Sequence, residues 1–536
     1  MQPTSWYLKY DIWAMDKENE LSQKIILGIV NNDVSNDNRV KRVAASAAAG
    51  GFTSLILGFS PEGRNEKVLM GSVVIKRIDV PVEVSTGRKA KKRKAKKQKA
   101  KFKKKVVTQR WRRYIAFLLK PKVLLPLKRV LLRIDQKNLP FRFKRKIIFI
   151  LKLFFNRILK LVSKTRLLKK MIESRIGIRN LRVVLSRVTA RDFEGYYQRE
   201  ILVIKPDLIH AHDFHMIGVA VKAARKLREI GHHAKVIYDA HELVEGLDHL
   251  QKPIQEFWLD YEGQYIKEVD GVVCVSDLQA QRLQERYTLE KKPSVILNCP
   301  ILDMEKTINR TVRDDAQHEG KLLVYHGKAS KARGLEVLVE SLEYLDAETH
   351  IALIVDIKNP FVNELSKIAN EIKIRMGGTS DRLHLLPYVS AEDLPTYLST
   401  ADIAVIPLLP TGNHEVAMPN KLFEAVQARL PILTSQRKAL SEYVVDKQIG
   451  QVFKDDDPKD LAEVASQILM NIEQYKSKFS DNYLQECSWD TQSELLVNSY
   501  QEQLGLEKSS LRPVSLDEIE LSDPAEVLSQ KKVFQE

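Results

Sequence analysis

Short apolar runs alternate with stretches whose apolar positions recur at helical spacing over most of the chain. Residues 24–30 and 54–59, for example, flank a helical stretch at 40–50, so these three segments predict one βαβ unit. Further short runs typical of buried parallel strands occur at 73–80, 181–185, 206–212, 235–239, 271–276, 322–325, 351–355, 384–386, 402–406, 432–434 and 451–453. The alternation predicts an α/β fold built on parallel sheets.

The alternation falls into two halves on either side of a polar linker at 303–320, and it is interrupted once within the first half. Each half has enough strands and helices for one Rossmann-like domain. We predict a polar arm at 1–22, an N-terminal Rossmann-like domain at 23–302 with an insert at 88–178, a C-terminal Rossmann-like domain at 320–480, a helix at 488–504 that crosses back to the first domain, and an acidic flexible tail at 505–536.

Composition fits an intracellular two-domain protein. A chain of 536 residues with 44% hydrophobic content can bury two or three cores of ordinary size. Its three cysteines lie far apart, which argues against a disulfide framework or a zinc ribbon. The first 22 residues have no apolar core of a secretory signal, and no stretch of 18 uncharged apolar residues occurs. We therefore expect a cytoplasmic protein without a spanning helix.

The net charge of +17 is concentrated in the insert. Between Arg88 and Lys170 there are 33 lysines and arginines against one acidic residue, Asp135, so the rest of the chain is acidic. The first part, residues 88–105, holds 13 cations in 18 positions and cannot form a core. This composition predicts a disordered segment that binds an anionic surface.

The later part of the insert, residues 144–164, has a basic side and an apolar side when placed on a helix. Such a helix lies in a membrane interface, where each cation near an anionic leaflet contributes on the order of 1 kcal/mol. Two alternatives remain open, a solvated helix of the first domain and a nucleic-acid surface, although no nucleic acid is expected from aromatics at helical spacing. The residues predicted to contact the membrane are Lys146, Lys152, Phe154, Phe155, Arg157 and Lys160.

Residues 413–434 carry the most specific chemical pattern. A polar loop with Gly412 and Pro419 leads into a helix that begins near Asn420. The free N–H groups of the helix start and Lys421 can meet an anion, and Glu424 can bind a sugar hydroxyl one turn later. The alternative is an ordinary crossover with a surface lysine and glutamate.

A second loop of the C-terminal domain, residues 326–334, lies between a predicted strand and a helix. It contains Gly327 and two cations, Lys328 and Arg333, that can bracket a diphosphate with help from the helix start. Lys331 could take the place of Lys328, and all of these cations could equally lie on a solvated surface loop.

Polar side chains also follow strands of the N-terminal domain, where open α/β sheets bind ligands. Asp213, His241 and Glu242 are at such strand ends and are therefore candidate ligand-binding residues. The loop 31–39, which contains Asp33, Asp37 and Arg39, has no glycine-rich stretch, so we do not assign it to a phosphate.

A metal site is the weaker interpretation of the polar residues. His210, His212, His215 and Asp213 could be ligands, since alternate strand positions share a face. Residues 455–457 form an Asp-Asp-Asp run, but helix capping explains that run better than metal binding. We expect no metal and no cofactor.

Several motifs together resemble glycosyltransferase family 4, enzymes of the two-domain GT-B fold. They are Pro-Asn-Lys-x-Phe-Glu from Pro419, Pro-Asp-x-Ile-His-Ala-His-Asp from Pro206, Tyr-Asp-Ala-His-Glu from Tyr238, and the cationic loop at 326–334. The resemblance implies catalytic roles for Asp213, His241, Glu242, Lys328 and Arg333, donor binding by Gly327, Lys328, Arg333, Gly412, Asn420, Lys421 and Glu424, and an acceptor side with Asp33, Asp37 and Arg39.

One position departs from that pattern. Many family members carry two glutamates around the donor sugar, with seven residues between them. Counting back from Glu424 reaches Val416, and Glu415 lies one position off. Either the loop is shifted by a residue, or backbone groups hold the sugar.

The resemblance implies a retaining, metal-independent hexosyltransferase that takes a nucleotide-diphosphate sugar as co-substrate. The basic insert favours a lipid-linked or membrane-proximal acceptor, envelope polysaccharide or glycolipid synthesis, and a peripheral place on the inner face of the cell membrane. The alternatives are a catalytically inactive GT-B protein that binds nucleotide sugars or nucleic acid, and a GT-B epimerase.

Overall fold

The structure is a computed structural model, and it describes residues 24–60, 65–79, 193–248, 250–303, 306–378 and 381–507. Two mainly parallel sheets with helices between the strands give the α/β, GT-B architecture that the sequence predicts. The predicted arm at 1–22, the whole insert at 88–178 with the residues predicted to contact the membrane, the predicted strand at 181–185 and most of the tail lie outside the described residues.

The first sheet has eight strands in the order β3-β4-β2-β1-β5-β6-β7-β8. All neighbours are parallel except β3 and β4, which pair antiparallel. The strands are β1 Ile25–Ile29, β2 Thr53–Phe59, β3 Glu66–Met70, β4 Val73–Ile78, β5 Leu208–His212, β6 Lys235–Ala240, β7 Gly271–Cys274 and β8 Ser294–Val295.

The second sheet has six parallel strands in the order β11-β10-β9-β12-β13-β14. Neighbouring residues of one strand belong to different cores: Leu322 and Val324 pack into one apolar cluster, whereas Leu323 and Tyr325 pack into another. Both faces of this sheet are therefore buried, which explains its continuous apolar runs. The strands are β9 Lys321–His326, β10 Thr349–Ile354, β11 Leu383–Leu386, β12 Ile403–Ile406, β13 Ile432–Ser435 and β14 Gly450–Phe453.

Helices connect these strands, together with short 3-10 turns. A helix over 193–204 precedes β5. The others are α1 Asn38–Ala49, α2 Phe214–Glu229, α3 Lys252–Tyr265, α4 Asp277–Tyr287, α5 Val312–Ala316, α6 Leu335–Glu340, α7 Pro360–Arg375, α8 Leu394–Leu398, α9 Asn420–Gln427, α10 Lys438–Asp446, α11 Pro458–Met470, α12 Ile472–Lys476, α13 Asp481–Glu486 and α14 Trp489–Leu504. No described helix is long and apolar enough to span a membrane.

Most predicted strands are confirmed within one or two residues, and the differences have local causes. The antiparallel strand β3 was not predicted, because its polar residues Glu66 and Lys67 hide the pattern of a strand. Helix α9 ends at Gln427, before Pro431, since Arg429 adopts a left-handed conformation with φ of 55°. Asp457 caps α11 by accepting a hydrogen bond from the Asp460 N–H, which confirms the capping interpretation for that residue.

The last helix, α14, packs on the first sheet. Trp489, Leu496 and Tyr500 are fully buried in the same apolar cluster as Ile26 and Leu208. The indole N–H of Trp489 also donates to the hydroxyl of Ser46 in α1 at 3.0 Å. The C-terminal helix therefore completes the core of the N-terminal domain.

The chain divides into two compact units. The first contains both sheets and, among the described residues, every helix except the beginning of α3. Of the second unit, which comprises residues 81–191 and Lys252–Phe257, the structure describes only the six residues that begin α3.

Three histidines stack at the amino ends of β10 and β11. The rings of His318 and His350 are parallel with centroids 3.5 Å apart, and His350 Nδ1 lies 2.8 Å from His384 Nε2. Burial, together with the neighbouring His318, His384 and Arg382, lowers the pKa of His350 to about 4. His350 is therefore protonated only at a lower pH in the folded protein, whereas in the unfolded chain it is protonated near pH 6.5.

We expect this histidine stack to make the protein less stable in mild acid. The contribution of His350 is complete above pH 6.5 and is lost as the pH falls towards 4, at a cost of at least about 1 kcal/mol. On acidification, the melting temperature of the wild type should fall further than that of His350→Phe, which keeps a ring but cannot titrate at this position. Parallel curves for the two proteins would contradict the assignment.

Candidate active site

The candidate site lies at the topological switch point of each sheet, where the chain stops adding strands on one side and begins adding them on the other. In the second sheet, β9 and β12 are neighbours, but the chain leaves them in opposite directions along the sheet. The loops 327–334 and 407–419 therefore start side by side and leave a crevice between them. In the first sheet the same reversal lies between β1 and β5.

Helix α9 presents the carboxylate of Glu424 to this crevice. Its apolar side, formed by Leu422, Phe423 and Val426, is completely buried and fixes the helix on the sheet. Glu424 Oε2 lies 3.5 Å from His326 Nε2, and its side chain is only 13% exposed. Burial raises the pKa of Glu424, while Lys421 and Arg42 oppose that rise.

Lys421 lies beside Glu424 at the base of the crevice. Its ammonium donates to the carbonyl of His326 at 2.5 Å and lies 4.6 Å from the ring centre of Tyr325. Gly327 leaves room for it: the backbone there has φ of 107°, and an added Cβ would lie 2.3 Å from Lys421 Nζ. Burial, with Arg333 nearby, lowers the pKa of Lys421 to about 8.

Arg333 and Lys328 occupy different places although they share one loop. Arg333 lines the cleft, whereas Lys328 is exposed and does not. Lys328 is fixed through its backbone carbonyl, which accepts from the Tyr325 hydroxyl at 2.8 Å. Lys331 is exposed as well and pairs with Glu336 at 3.8 Å. The structure thus brings Lys421, not Lys328 or Lys331, next to Arg333.

The loop before α9 presents Val416 to the cleft and turns Glu415 away from it. Val416 lines it, together with Ala417 and Met418, whereas Glu415 points to Arg437 and accepts from the Lys438 N–H at 3.2 Å. The carboxylate expected near the donor sugar is therefore replaced by an apolar side chain. In the described structure, the N–H groups of Ala417 and Met418 donate to no other group. Backbone donors are thus available where a second glutamate is not.

On the opposite wall, a buried ion pair organises the ends of the first-sheet strands. Arg39 donates through Nε and Nη2 to both oxygens of Asp239, each at 2.9 Å, and through Nη1 to Ile296 and Asn298. Burial would raise the pKa of Asp239, but Arg39 and His241 outweigh burial and hold it well below its usual value. Asp239 is thus a permanent buried anion.

His241 lies between two carboxylates. Its Nε2 is 3.1 Å from Asp239 Oδ2, and its Nδ1 is 3.7 Å from Asp213 Oδ1. Burial lowers its pKa, but these carboxylates prevail and raise it to about 9. Burial raises the pKa of Asp213 to about 6, against the influence of His241. His241 is therefore a cation at neutral pH, and it lines the cleft together with Glu242.

The three predicted acceptor-side residues are placed differently. Arg39 is buried and turned inward, since all three of its nitrogens serve Asp239, Ile296 and Asn298. Asp37 caps helix α1 by accepting from the Val40 N–H at 3.2 Å. Asp33 accepts from the Ser35 N–H at 3.1 Å within its own loop. None of the three is among the residues that line the cleft in the described structure.

One group of described side chains has the spacing of metal ligands: His210, His212 and Asp239, whose ligand atoms lie within 4.8 Å of one another. Both oxygens of Asp239 already accept from Arg39, so a divalent ion would have to displace a guanidinium. His215 packs 4.5 Å from the ring of Trp258 and belongs to a different cluster. Metal-independent chemistry stays a prediction.

Together these walls enclose a cleft of about 760 Å³, a volume suited to a nucleotide sugar. One wall carries His241, Glu242 and Asn298, and the other carries Arg333, Lys421 and Glu424. Gly327, Asn413, His414 and Asn420 also line the cleft, whereas Gly412 is not among its lining residues. Sequence reasoning missed His326 and the role of Asp239, although the Tyr-Asp-Ala-His-Glu motif contained Asp239.

Two segments of the chain match models of known families. Residues 189–301 match "Glycosyltransferase Family 4", and residues 320–471 match "Glycosyl transferases group 1". The two matches fall on the first and second sheets respectively.

One curated relative and two solved structures add to this comparison. Spore coat protein SA of Bacillus subtilis is 22% identical over 254 residues, which is 44% of this chain and 66% of that relative, just under two thirds. Sucrose-phosphate synthase from Thermosynechococcus elongatus superposes with a TM-score of 0.52 at 14% identity, covering 90% of this chain and 99% of that one. The E. coli trehalose-6-phosphate protein bound with UDP-2-fluoro glucose gives 0.54 at 12% identity, covering 91% and 100%. These structures share the GT-B fold.

Proposed function

We propose, from the premise that this chain carries the glycosyltransferase family 4 and glycosyl transferases group 1 domains of a GT-B protein, that it is a retaining glycosyltransferase. It would move a sugar from a nucleotide-diphosphate sugar to a lipid-linked or membrane-proximal acceptor in envelope polysaccharide or glycolipid synthesis. The observation that carries this proposal is the meeting of Arg333, Lys421 and Glu424 on one wall of the cleft, opposite His241 and Glu242.

The second-sheet wall suits the donor. Glu424 is a buried carboxylate with oxygens free to accept from ribose hydroxyls, and the start of α9 beside it offers unpaired N–H groups. Arg333 and Lys421 place two cations where the diphosphate would lie. Ala417 and Met418 would hold sugar hydroxyls through their backbone N–H groups.

In the reaction, the bond between the anomeric carbon and the diphosphate oxygen breaks, and a bond from that carbon to the acceptor oxygen forms. Arg333 and Lys421 stabilise the negative charge that gathers on the departing diphosphate. His241 already holds its proton and acts as a hydrogen-bond donor to the sugar. The proton of the acceptor hydroxyl therefore passes to the departing diphosphate, and the nucleoside diphosphate leaves.

The basic insert supports a membrane-proximal acceptor and a location of the enzyme at the membrane surface. Its 33 cations between Arg88 and Lys170 would hold the enzyme on an anionic leaflet, so that a lipid-linked acceptor reaches the cleft at the membrane surface. UDP is the first nucleotide to test, since a protein of the same fold is described as bound with UDP-2-fluoro glucose.

A thermal-shift panel with UDP, GDP, ADP, CMP and dTDP tests the donor site. A ligand at 100 times its dissociation constant adds about 2.7 kcal/mol to the free energy of unfolding, so one diphosphate should raise the melting temperature clearly. Glu424→Ala should abolish the shift, because the ribose loses its carboxylate.

Glu442→Ala is the matched control, since Glu442 is an exposed carboxylate outside the cleft. It should keep the shift of the wild type. No shift with any of the five nucleotides would contradict the proposal. A shift without transfer or donor hydrolysis would favour a nucleotide-sugar-binding protein that has lost its chemistry.

A further inference from the structure

The loop that faces the donor sugar is held from the opposite domain. We define this bridging loop as residues 411–418, which follow β12. Most of its residues line the cleft, namely Thr411, Asn413, His414, Val416, Ala417 and Met418. Asn413 Oδ1 accepts from the Leu243 N–H at 2.9 Å, and the Gly412 N–H donates to Asp248 Oδ2 at 3.1 Å. Further along, the Val416 carbonyl accepts from the Ser276 hydroxyl at 2.5 Å. Three hydrogen bonds thus cross from the first-sheet domain to one loop of the second.

The two backbones also touch without side chains between them. A Cβ added to Gly246 would lie 2.6 Å from the Asn413 nitrogen and 2.7 Å from the Gly412 carbonyl carbon. A Cβ added to Gly412 would lie 2.5 Å from the Gly246 Cα. Any larger residue at either position would therefore push the domains apart. The absence of both side chains is a steric requirement of this contact, because neither glycine has a positive φ.

The far side of the bridging loop is tied to its own domain. Glu415 forms an ion pair with Arg437, whose guanidinium is 2% exposed and also pairs with Asp455. The Glu415 carbonyl accepts from the Ala439 N–H at 3.0 Å. The unpaired N–H groups of Ala417 and Met418 directly follow the Glu415 anchor and the contact between Val416 and Ser276, so the direction of these donors depends on both domains.

We propose that the first-sheet domain positions the donor-sugar loop, with Asn413 as the positioning residue and Gly246 as its contact surface. This inference rests on the proposed function and adds that the two domains contribute to different parts of the donor site. The nucleotide is bound by groups of the second-sheet domain alone, including Glu424, whereas the sugar is bound by backbone donors that Leu243, Asp248 and Ser276 hold in place. Loss of the contact therefore weakens recognition of the sugar and spares the nucleotide.

The experiment compares the affinity for a nucleotide sugar with the affinity for the matching nucleoside diphosphate. UDP-glucose and UDP are the first pair, replaced by the pair that the nucleotide panel selects. Asn413→Ala and Gly246→Ala should each weaken sugar-nucleotide binding about tenfold relative to nucleoside diphosphate, whose own affinity stays within about twofold. Asn413→Asp should restore the ratio, because a carboxylate oxygen still accepts from the Leu243 N–H.

Amide hydrogen exchange of residues 411–418 supplies a second readout that needs no ligand. Exchange should accelerate in Asn413→Ala and Gly246→Ala. Gly195→Ala is the matched control, since a Cβ there meets nothing within 4 Å, and its exchange should equal that of the wild type. If these substitutions only disturbed the fold, Asn413→Ala and Gly246→Ala would instead lower the affinity for nucleoside diphosphate or the melting temperature.

The outcomes separate this inference from the proposed function. If no nucleotide binds the wild type, the proposed function fails, and unchanged exchange in both variants would then overturn the bridging-loop contact as well. If nucleotides bind but the affinity ratio stays constant in both variants, the positioning role is wrong while the donor site stands. A changed ratio together with faster exchange in both variants supports the inference.

Discussion

Arg333→Ala is expected to lower the turnover of sugar transfer about 100-fold or more without unfolding the protein. Arg333 lines the cleft together with Lys421, at the place where the proposed reaction would gather charge on the departing diphosphate. Losing one such preorganised donor typically costs about 3 to 4 kcal/mol of barrier. The side chain is partly exposed and makes no ion pair among the described residues, so its removal leaves no buried charge uncompensated. Turnover should therefore fall much more than stability.

Steady-state release of nucleoside diphosphate, measured beside a melting curve, tests this prediction. Lys328→Ala is the informative comparison, because Lys328 belongs to the same loop but is exposed outside the cleft. We expect it to lose less than about threefold in turnover, as for a surface charge. Equal losses of turnover in both variants would show that Lys328 also acts at the diphosphate site. Near-normal turnover of Arg333→Ala would show that Arg333 does not act there.

Asp239→Asn is expected to destabilise the N-terminal domain by about 3 to 5 kcal/mol, the usual cost of removing one partner of a buried ion pair. The amide keeps the shape of the carboxylate but leaves the guanidinium of Arg39, which is 6% exposed, without its counter-charge. The same change removes the stronger of the two carboxylate influences on His241, so the pKa of His241 should fall from about 9.

Chemical denaturation gives the free energy of unfolding, and NMR titration of His241 gives its pKa. The double variant Arg39→Met with Asp239→Leu is the control, since removing both charges together costs less than stranding one. The assignment is wrong if Asp239→Asn unfolds no more easily than the wild type. An unchanged pKa of His241 would show that Asp239 does not set its charge.

The sequence predicted the strands well because buried parallel strands are continuous apolar runs, and that property needs no tertiary information. It also identified the loops of the cleft, since polar residues directly after such runs lie at the ligand-binding edge of a sheet. Glu424 and Lys421 were found in this way, on a helix whose apolar side is evident from spacing alone.

What the sequence could not decide is which polar residues turn into the cleft. Lys328 and Lys421 are equally plausible cations in the sequence, but in the structure Lys328 is exposed outside the cleft, and Gly327 leaves space for Lys421. Glu415 and Val416 are adjacent, and Arg437, 22 positions later, draws the glutamate away from the cleft. Arg39 was assigned to the acceptor, but its partner Asp239 lies 200 positions away and buries it. Each case depends on a contact that is distant in the chain.

The packing of α14 on the first sheet has a consequence for synthesis on the ribosome. The core of the second domain is complete once residues near Cys487 have emerged, whereas the first domain still lacks Trp489, Leu496 and Tyr500. The domain translated first is therefore the last to be finished, and until then its apolar surface beside α1 is uncovered. A nascent chain halted before residue 489 should accordingly carry a folded second domain and a first domain in need of a chaperone.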